Sequence, residues 1–207
     1  CTLGGNLAEN AGGPRCLKYG LTRDYVLALE AVLSDGRVLR TGGKLRKDAA
    51  GYSLHHLLVG SEGTLAVVTE ATLRLVPLPA ARRLMVAPFA SLAAAARAVQ
   101  AVLASPVVPS VLEILGRSAL LAAAEHLGRP VPFADREALL LVEVDGADPE
   151  AVDRDAERTA DLLARSGGGT GAGGGGGVVL ADSPAKERDL WEVRRCLCEA
   201  VKRRGLH

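Results

Sequence analysis

Along the chain the apolar positions fall into short blocks, and their grammar changes once, near residue 80. Tyr25 to Leu33 is a nearly continuous apolar run carrying the β-branched Val26 and Val32. It stops at Asp35-Gly36, and Arg37-Val38-Leu39-Arg40 resumes it. An apolar run, Asp-Gly and a second run predict a hairpin. Tyr52 to Val59 predicts a short helix stopped by Gly60, and Thr64 to Val76 predicts a strand closed by Pro77 and Pro79. Residues 1–22 read as turn-rich, with room for one helical turn over Asn6 to Asn10.

From Arg82 onward strands and helices alternate. Leu84–Phe89, Val111–Leu115, Ala138–Val144 and Val178–Leu180 predict strands. Ser91 caps a helix running to about Ala104, Ser118–Leu127 predicts another, and Asp148–Arg165 a charged amphipathic one with Pro149 in its first turn. Ser183 to Arg204 predicts a last long helix carrying Trp191. Strand–helix–strand taken twice is the split pattern of a ferredoxin-like layer, with the helices at 118–127 and 183–204 as additions. The fold class expected is α+β, with a domain boundary near Pro77–Ala81.

Composition narrows the class of partner. The 207 residues are 48% apolar and 24% charged, the balance of a folded globular chain. A formal net charge of +1 gives no reason to expect nucleic acid or an anionic membrane. No uncharged stretch of 18 apolar residues suggests a transmembrane segment. Cys1, Cys16, Cys196 and Cys198 form no ligand pattern and are expected as free thiols. No metal site is expected: His55 and His56 cannot share a helix face and read as loop or helix-surface residues, and His126 and His207 are isolated. Gly169-Thr170-Gly171-Ala172-Gly173-Gly174 spells G-x-G-x-x-G, but a helix precedes it and a strand follows. A dinucleotide fingerprint needs the reverse, so the glycine-rich stretch at 167–177 reads as an insert at a surface turn.

Three clusters of small residues concentrate the candidate chemistry: Thr2-Leu3-Gly4-Gly5-Asn6, Asn10-Ala11-Gly12-Gly13 and Gly60-Ser61-Glu62-Gly63-Thr64. Without bulky side chains, backbone N–H groups approach a large ligand closely, and an amide side chain offers donor and acceptor to a heterocycle. Plain turn formation explains the same residues equally well.

These clusters, with Lys18-Tyr19-Gly20, Thr22-Arg23-Asp24-Tyr25-Val26, Thr41-Gly42-Gly43-Lys44, Ala50-Gly51-Tyr52, Leu57 to Thr64 and Val68 to Leu73, resemble the glycolate oxidase and D-lactate dehydrogenase family of flavoproteins. The resemblance is dense over residues 1–79 and thinner but continuous over 80–204. It implies the C-terminal part of a PCMH-type FAD-binding domain of the vanillyl-alcohol-oxidase fold at 1–79. At 80–207 it implies the first part of a ferredoxin-like substrate domain. By this resemblance Thr2, Gly4, Gly5 and Asn6 line the flavin, and Asn10, Gly12 and Gly13 continue that wall. Glu62, Gly63, Val67 and Val68 contact the ribityl and adenine-side portions. Ala66 departs from the family's commoner glycine.

Trp191-x-x-Arg194 resembles the family helix that presents an Arg to the substrate carboxylate; a solvent-facing helix Arg is the other reading. Cys198 stands where some relatives carry a second contact, a Thr. The resemblance implies FAD-dependent oxidation of a 2-hydroxy acid, glycolate or D-lactate, with electrons passed to a quinone or a carrier protein. D-2-hydroxyglutarate dehydrogenase, supported by Arg46-Lys47-Asp48 before Gly51-Tyr52, and a non-catalytic remnant are the alternatives. It places the pyrophosphate loop before Cys1 and the catalytic His after His207, so the chain is expected to be an inactive fragment with no catalytic residue of its own. The expected compartment is the cytoplasm, with possible membrane association, in a bacterium, and the mitochondrion in a eukaryote.

Overall fold

A computed structural model describes residues 1–169, 177–203 and 205. The chain divides into two compact units, Cys1–Leu78 and Pro79–His207.

The first unit begins with α1 (Leu3–Glu9), α2 (Cys16–Tyr19) and a 3-10 turn, Thr22–Tyr25. The strands β1 (Val26–Val32) and β2 (Val38–Gly42), α3 (Leu54–Leu58) and β3 (Val67–Leu73) follow. Both neighbours of β1 run antiparallel to it, in the order β2-β1-β3. The hairpin forms where Asp35-Gly36 predicts it: Val32 faces Val38, Gly36 takes φ +85°, and the Arg37 N–H donates to Asp35 Oδ1 at 3.1 Å. Leu7, Val26, Leu29, Ala31, Leu58, Val59 and Ala66 make the core.

Two expectations need correction. Residues 3–9 are helical where the sequence predicts a single turn at Asn6–Asn10. Thr2 starts the helix, its Oγ1 accepting the Gly5 N–H at 3.1 Å, and Asn10 ends it in the left-handed region at φ 50°. Gly4 and Gly5 weaken the helical pattern, while burial of Leu7 against the sheet supplies what propensity lacks. The strand at Thr64–Val76 shortens to Val67–Leu73, because the Thr64 N–H closes a turn onto Ser61 O at 2.9 Å.

The second unit runs β4 (Ala81–Phe89), α4 (Leu92–Leu103), β5 (Val111–Gly116), α5 (Arg117–Leu127), β6 (Ala138–Gly146), α6 (Pro149–Arg165), β7 (Val179–Leu180) and α7 (Pro184–Arg203). Its sheet has the order β5-β6-β4-β7, every pair antiparallel. That is the split layout of a ferredoxin-like layer. Strand period two divides the side chains between two cores. Met85, Ala87, Phe89, Leu140, Val142 and Leu163 pack under α4 and α6. Leu84, Val86, Leu139, Leu141, Leu120 and Val193 pack under α5 and α7. The two helices read as additions thus cover the sheet's second face. This is why β6 is buried from Ala138 to Asp145 and reads as an unbroken apolar run apart from Glu143 and Asp145.

The first glycines of the run 167–177 belong to the fold rather than to a free insert. Gly167 and Gly168 donate to Ala164 O and Leu163 O at 3.1 and 2.8 Å, stopping α6, and Gly169 donates to Pro88 O at 2.8 Å. A Cβ on Gly168 would stand 2.6 Å from Leu163 O. The remainder of the G-x-G-x-x-G string, residues 170–174, lies outside the described residues.

Candidate functional site

In the first unit the end of α1 is a docking point for the segment after α3. The last carbonyls of a helix have no internal partner. Here Leu7 O accepts from the Gly60 N–H at 2.9 Å and Ala8 O from the Glu62 N–H at 3.0 Å. Asn10 Oδ1 accepts from the Arg23 N–H at 2.9 Å, and Arg23 Nη2 donates to Val59 O at 2.9 Å. The fold therefore gathers Thr2, Gly4, Gly5, Asn6, Asn10, Glu62 and Gly63 around one helix. From Thr2 to Asn10 that helix extends about 12 Å at 1.5 Å per residue. Glu62 holds φ 49°, a left-handed conformation costing about 1 kcal/mol or more outside glycine.

The glycines of this group have different reasons to be glycine. A Cβ on Gly12 would meet Leu21 Cδ2 at 2.8 Å and Cys16 Sγ at 3.1 Å, so packing requires it. Gly63 takes φ +77°, so its backbone requires it. Gly4 and Gly13 take no such φ, and a Cβ on either would have nothing within 4 Å. A glycine costs up to about 1 kcal/mol against alanine inside a helix. Exposed Gly4 within α1 thus has no internal reason to lack a side chain, and suits close approach by a ligand. Asn6 is half-buried beside it.

Val67 and Val68 alternate on β3. Val67 is exposed, whereas Val68 packs toward the core, so their side chains do not point the same way. On the open side of this sheet Glu30 is held by Thr69 Oγ1 at 2.9 Å and by Arg40 Nη2 at 2.5 Å. The Thr69 hydrogen bond first, and Arg40 second, keep its carboxyl below the usual carboxylate range.

In the second unit Arg194 is not a solvent-facing helix residue. It lies on the stripe of α7 that carries Leu190, Val193 and Leu197 onto the sheet. Glu113, on β5 between Val111 and Leu115, reaches it from below. Glu113 accepts from Arg194 Nε and, at 2.9 Å, from Nη2, so the pair is bidentate. The side chains keep 29% and 22% of their accessibility. The Glu113 hydrogen bonds raise the Arg194 pKa above its already high ordinary value, against a lowering by burial. Trp191 lies one turn before Arg194 on α7, and exposed Cys198 one turn after. Sequence reasoning singled out Arg194 and missed Glu113. A lone Glu in an apolar strand (Val111-Leu112-Glu113-Ile114-Leu115) was the available signal.

The histidines divide differently from expectation. His55 is buried, at 8% exposure, while Leu57 two residues on is exposed. The face that α3 turns to β1 and β2 carries His55 and Leu58, because Leu58 and Val59 anchor the core. His55 Nδ1 has no hydrogen-bond partner among the described residues. Burial first, and adjacent His56 second, lower its pKa, against an upward pull from Asp48. The four cysteines are free thiols, and no group of three or more His, Cys, Asp or Glu among the described residues could hold a metal ion. No described helix is long and apolar enough to cross a membrane.

Residues 78–206 match the family described as FAD linked oxidases, C-terminal domain. The chain belongs to the FAD-linked oxidases. Residues 1–42 separately match an FAD binding domain. It is 42% identical over 202 residues to the glycolate oxidase subunit GlcD of Bacillus subtilis, covering 98% of the chain and 41% of that protein. It is 34% identical to a D-lactate dehydrogenase of Anaerostipes hadrus, covering 97% of the chain and 42% of that protein. Against the D-2-hydroxyglutarate dehydrogenase of Xanthomonas citri identity is 32%, covering 98% and 41%. The chain thus spans about two-fifths of the length of these relatives. Among solved structures, alkyldihydroxyacetonephosphate synthase superposes with a TM-score of 0.63 at 25% identity, over 93% of this chain and 36% of that one.

Proposed function

We propose that these 207 residues are part of an FAD-dependent enzyme that oxidises a 2-hydroxy acid, glycolate or D-lactate, to the 2-oxo acid. The observation that carries the reading is Arg194: a permanently charged guanidinium on the sheet-facing side of a helix, half-buried and held in one orientation. A planar fork of donors fits a carboxylate bidentately and so fixes the neighbouring carbinol carbon. Thr2, Gly4, Gly5, Asn6, Asn10, Gly12, Gly13, Glu62, Gly63, Val67 and Val68 are proposed to hold the flavin. Open Gly4 and Gly13 would give it backbone contact, Asn6 an amide, and Asn10 its NH2 group, since Oδ1 is engaged by Arg23. Packed Gly12 and the inward Val68 would act through their backbones. FAD, when bound, supplies the acceptor for the hydride leaving substrate C2. The chain's own part is orientation. Arg194 binds the carboxylate and turns C2 with its hydroxyl one way, and positioning of this kind accounts for much of a catalytic barrier. The proposed onward acceptor is a quinone or a carrier protein.

The test is the full natural polypeptide, purified and titrated without oxygen with glycolate, D-lactate and D-2-hydroxyglutarate while flavin absorbance is followed. Bleaching by glycolate or D-lactate, lost in Arg194→Met at unchanged flavin content, is the expected result. Bleaching by D-2-hydroxyglutarate alone would move the substrate to the dicarboxylate. A protein that carries no flavin, or a flavin that none of the three reduces, would end the reading.

A further inference from the structure

We infer that Glu113 is the positioning residue for substrate-carboxylate recognition, holding Arg194 side-on so that the opposite edge of its guanidinium stays free for the substrate. The inference rests on the proposed role of Arg194.

A guanidinium carries five N–H bonds on two usable edges. The side edge presents the Nε hydrogen and the inner hydrogen of one terminal nitrogen. The end edge presents one hydrogen from each terminal nitrogen. Glu113 takes the side edge through Nε and Nη2. Nη1 makes no hydrogen bond among the described residues and the side chain keeps part of its accessibility, so the end edge has donors to offer. One carboxylate bound side-on leaves room for a second bound end-on in the same plane. The arrangement directs the second carboxylate to one place and one orientation.

The surroundings explain why a clamp is needed. α7 lays Leu190, Val193 and Leu197 on the sheet, and an Arg on that stripe would otherwise swing through several rotamers toward water. Side-chain freedom lost on binding weakens a contact, and a clamp that has already removed it leaves the carboxylate contact undiminished. Glu113 itself is fixed. It projects from β5, whose Leu112, Glu113 and Ile114 pair with the buried Val142, Leu141 and Leu140 of β6. Ser110, just before β5, donates to Glu143 Oε1 at 3.0 Å and ties the start of that strand to its neighbour. The second carboxylate of this polar end, Glu143, is fully buried on the same face of the sheet. Glu113 is the carboxylate that meets α7, through Arg194.

The experiment is made in the full natural polypeptide with its flavin. Glu113→Gln keeps size and one acceptor but loses charge and bidentate geometry; Glu113→Asp keeps charge at shorter reach; Arg194→Lys is the reference for loss of the fork. Steady-state kinetics with D-lactate or glycolate are paired with binding of a non-oxidisable ligand, oxalate, followed by the perturbation of the flavin absorbance spectrum. We expect Glu113→Gln to raise both KM and the oxalate Kd about tenfold or more, the size of one hydrogen bond to a charged group. Flavin content and melting temperature should stay close to those of the parent, and Glu113→Asp should recover part of the affinity. Arg194→Lys should weaken oxalate binding similarly, and adding Glu113→Gln to it should weaken it little further. Unchanged KM and oxalate Kd in folded Glu113→Gln would overturn the inference and leave the proposed function standing. Equal losses of folding and binding in both Glu113 variants, with no recovery by Asp, would reduce the pair to a structural tie and also overturn it. A parent that neither oxidises a 2-hydroxy acid nor binds oxalate would instead remove the function on which it rests.

Discussion

Gly4 and His55 show how little a residue's type alone says about its place. Gly4 sits inside α1, exposed, with nothing within 4 Å of where a Cβ would be. Gly4→Ala should therefore stabilise the flavin-free protein, by up to about 1 kcal/mol, because alanine is the better helix former. The same methyl would crowd a ligand lying on that surface. The expected outcome is a higher melting temperature with weaker FAD binding, read by thermal melts and flavin titration; stronger or equal FAD binding would place the cofactor elsewhere. His55 is the opposite case, a polar side chain carried inward with Nδ1 unpartnered among the described residues. Its pKa in the fold lies below 6.5 chiefly through burial, so the unfolded chain takes the proton first. Stability from this residue is present above pH 6.5 and falls as pH drops below it, levelling once the folded form is protonated too. Melting temperatures from pH 8 to pH 5 should show that loss, and His55→Leu should flatten it; an equal acid slope in the variant would assign the loss to other groups. Neither residue was legible in sequence. Glycine reads as a turn whether or not it lies in a helix, and the direction of His55 is set by Leu58 and Val59, not by its own polarity.

At the scale of elements, legibility followed the strength of the local signal. α4 starts after Ser91, where the sequence places its cap, and Ser91 Oγ accepts the Ala94 N–H at 3.2 Å. Ser91→Ala should cost about 1 kcal/mol, measured by denaturant unfolding, and Ser91→Asp should restore it. α6 likewise follows from Asp148-Pro149, with Asp148 Oδ1 accepting the Glu150 N–H at 3.0 Å. The Asp-Gly hairpin is equally direct. α1 was harder to read because only Leu7 among its residues is buried, so its helix depends on packing more than on sequence pattern. The clamp on Arg194 was harder still. It joins residues 81 positions apart, and the meeting of β5 with α7 is a tertiary fact with no local signature.

For the molecule as a whole, the second unit is one sheet with a core on each face. Leu163 is fully buried on one side and Leu120 on the other. Each truncation to alanine should cost about 2–5 kcal/mol. With a sheet between them and no residue common to the two core clusters, the double variant should lose the sum within about 0.5 kcal/mol. Calorimetry or urea unfolding of the three variants would decide; a large departure would mean that the sheet transmits strain between its faces. The ferredoxin-like order was legible because strand–helix alternation leaves few topologies open. The cover on the second face was not, because α5 and α7 are amphipathic in sequence without saying which apolar surface they meet.

The two ends of the glycine run are held by the same strand. Gly169 is fixed to Pro88 O, and Val179 pairs with Val86 two residues away, roughly 7 Å along β4. The distance to be closed is thus short and independent of what lies between. Both anchor points lie on β4, so the register that joins β4, α6 and β7 is written in the described residues on either side of the tract.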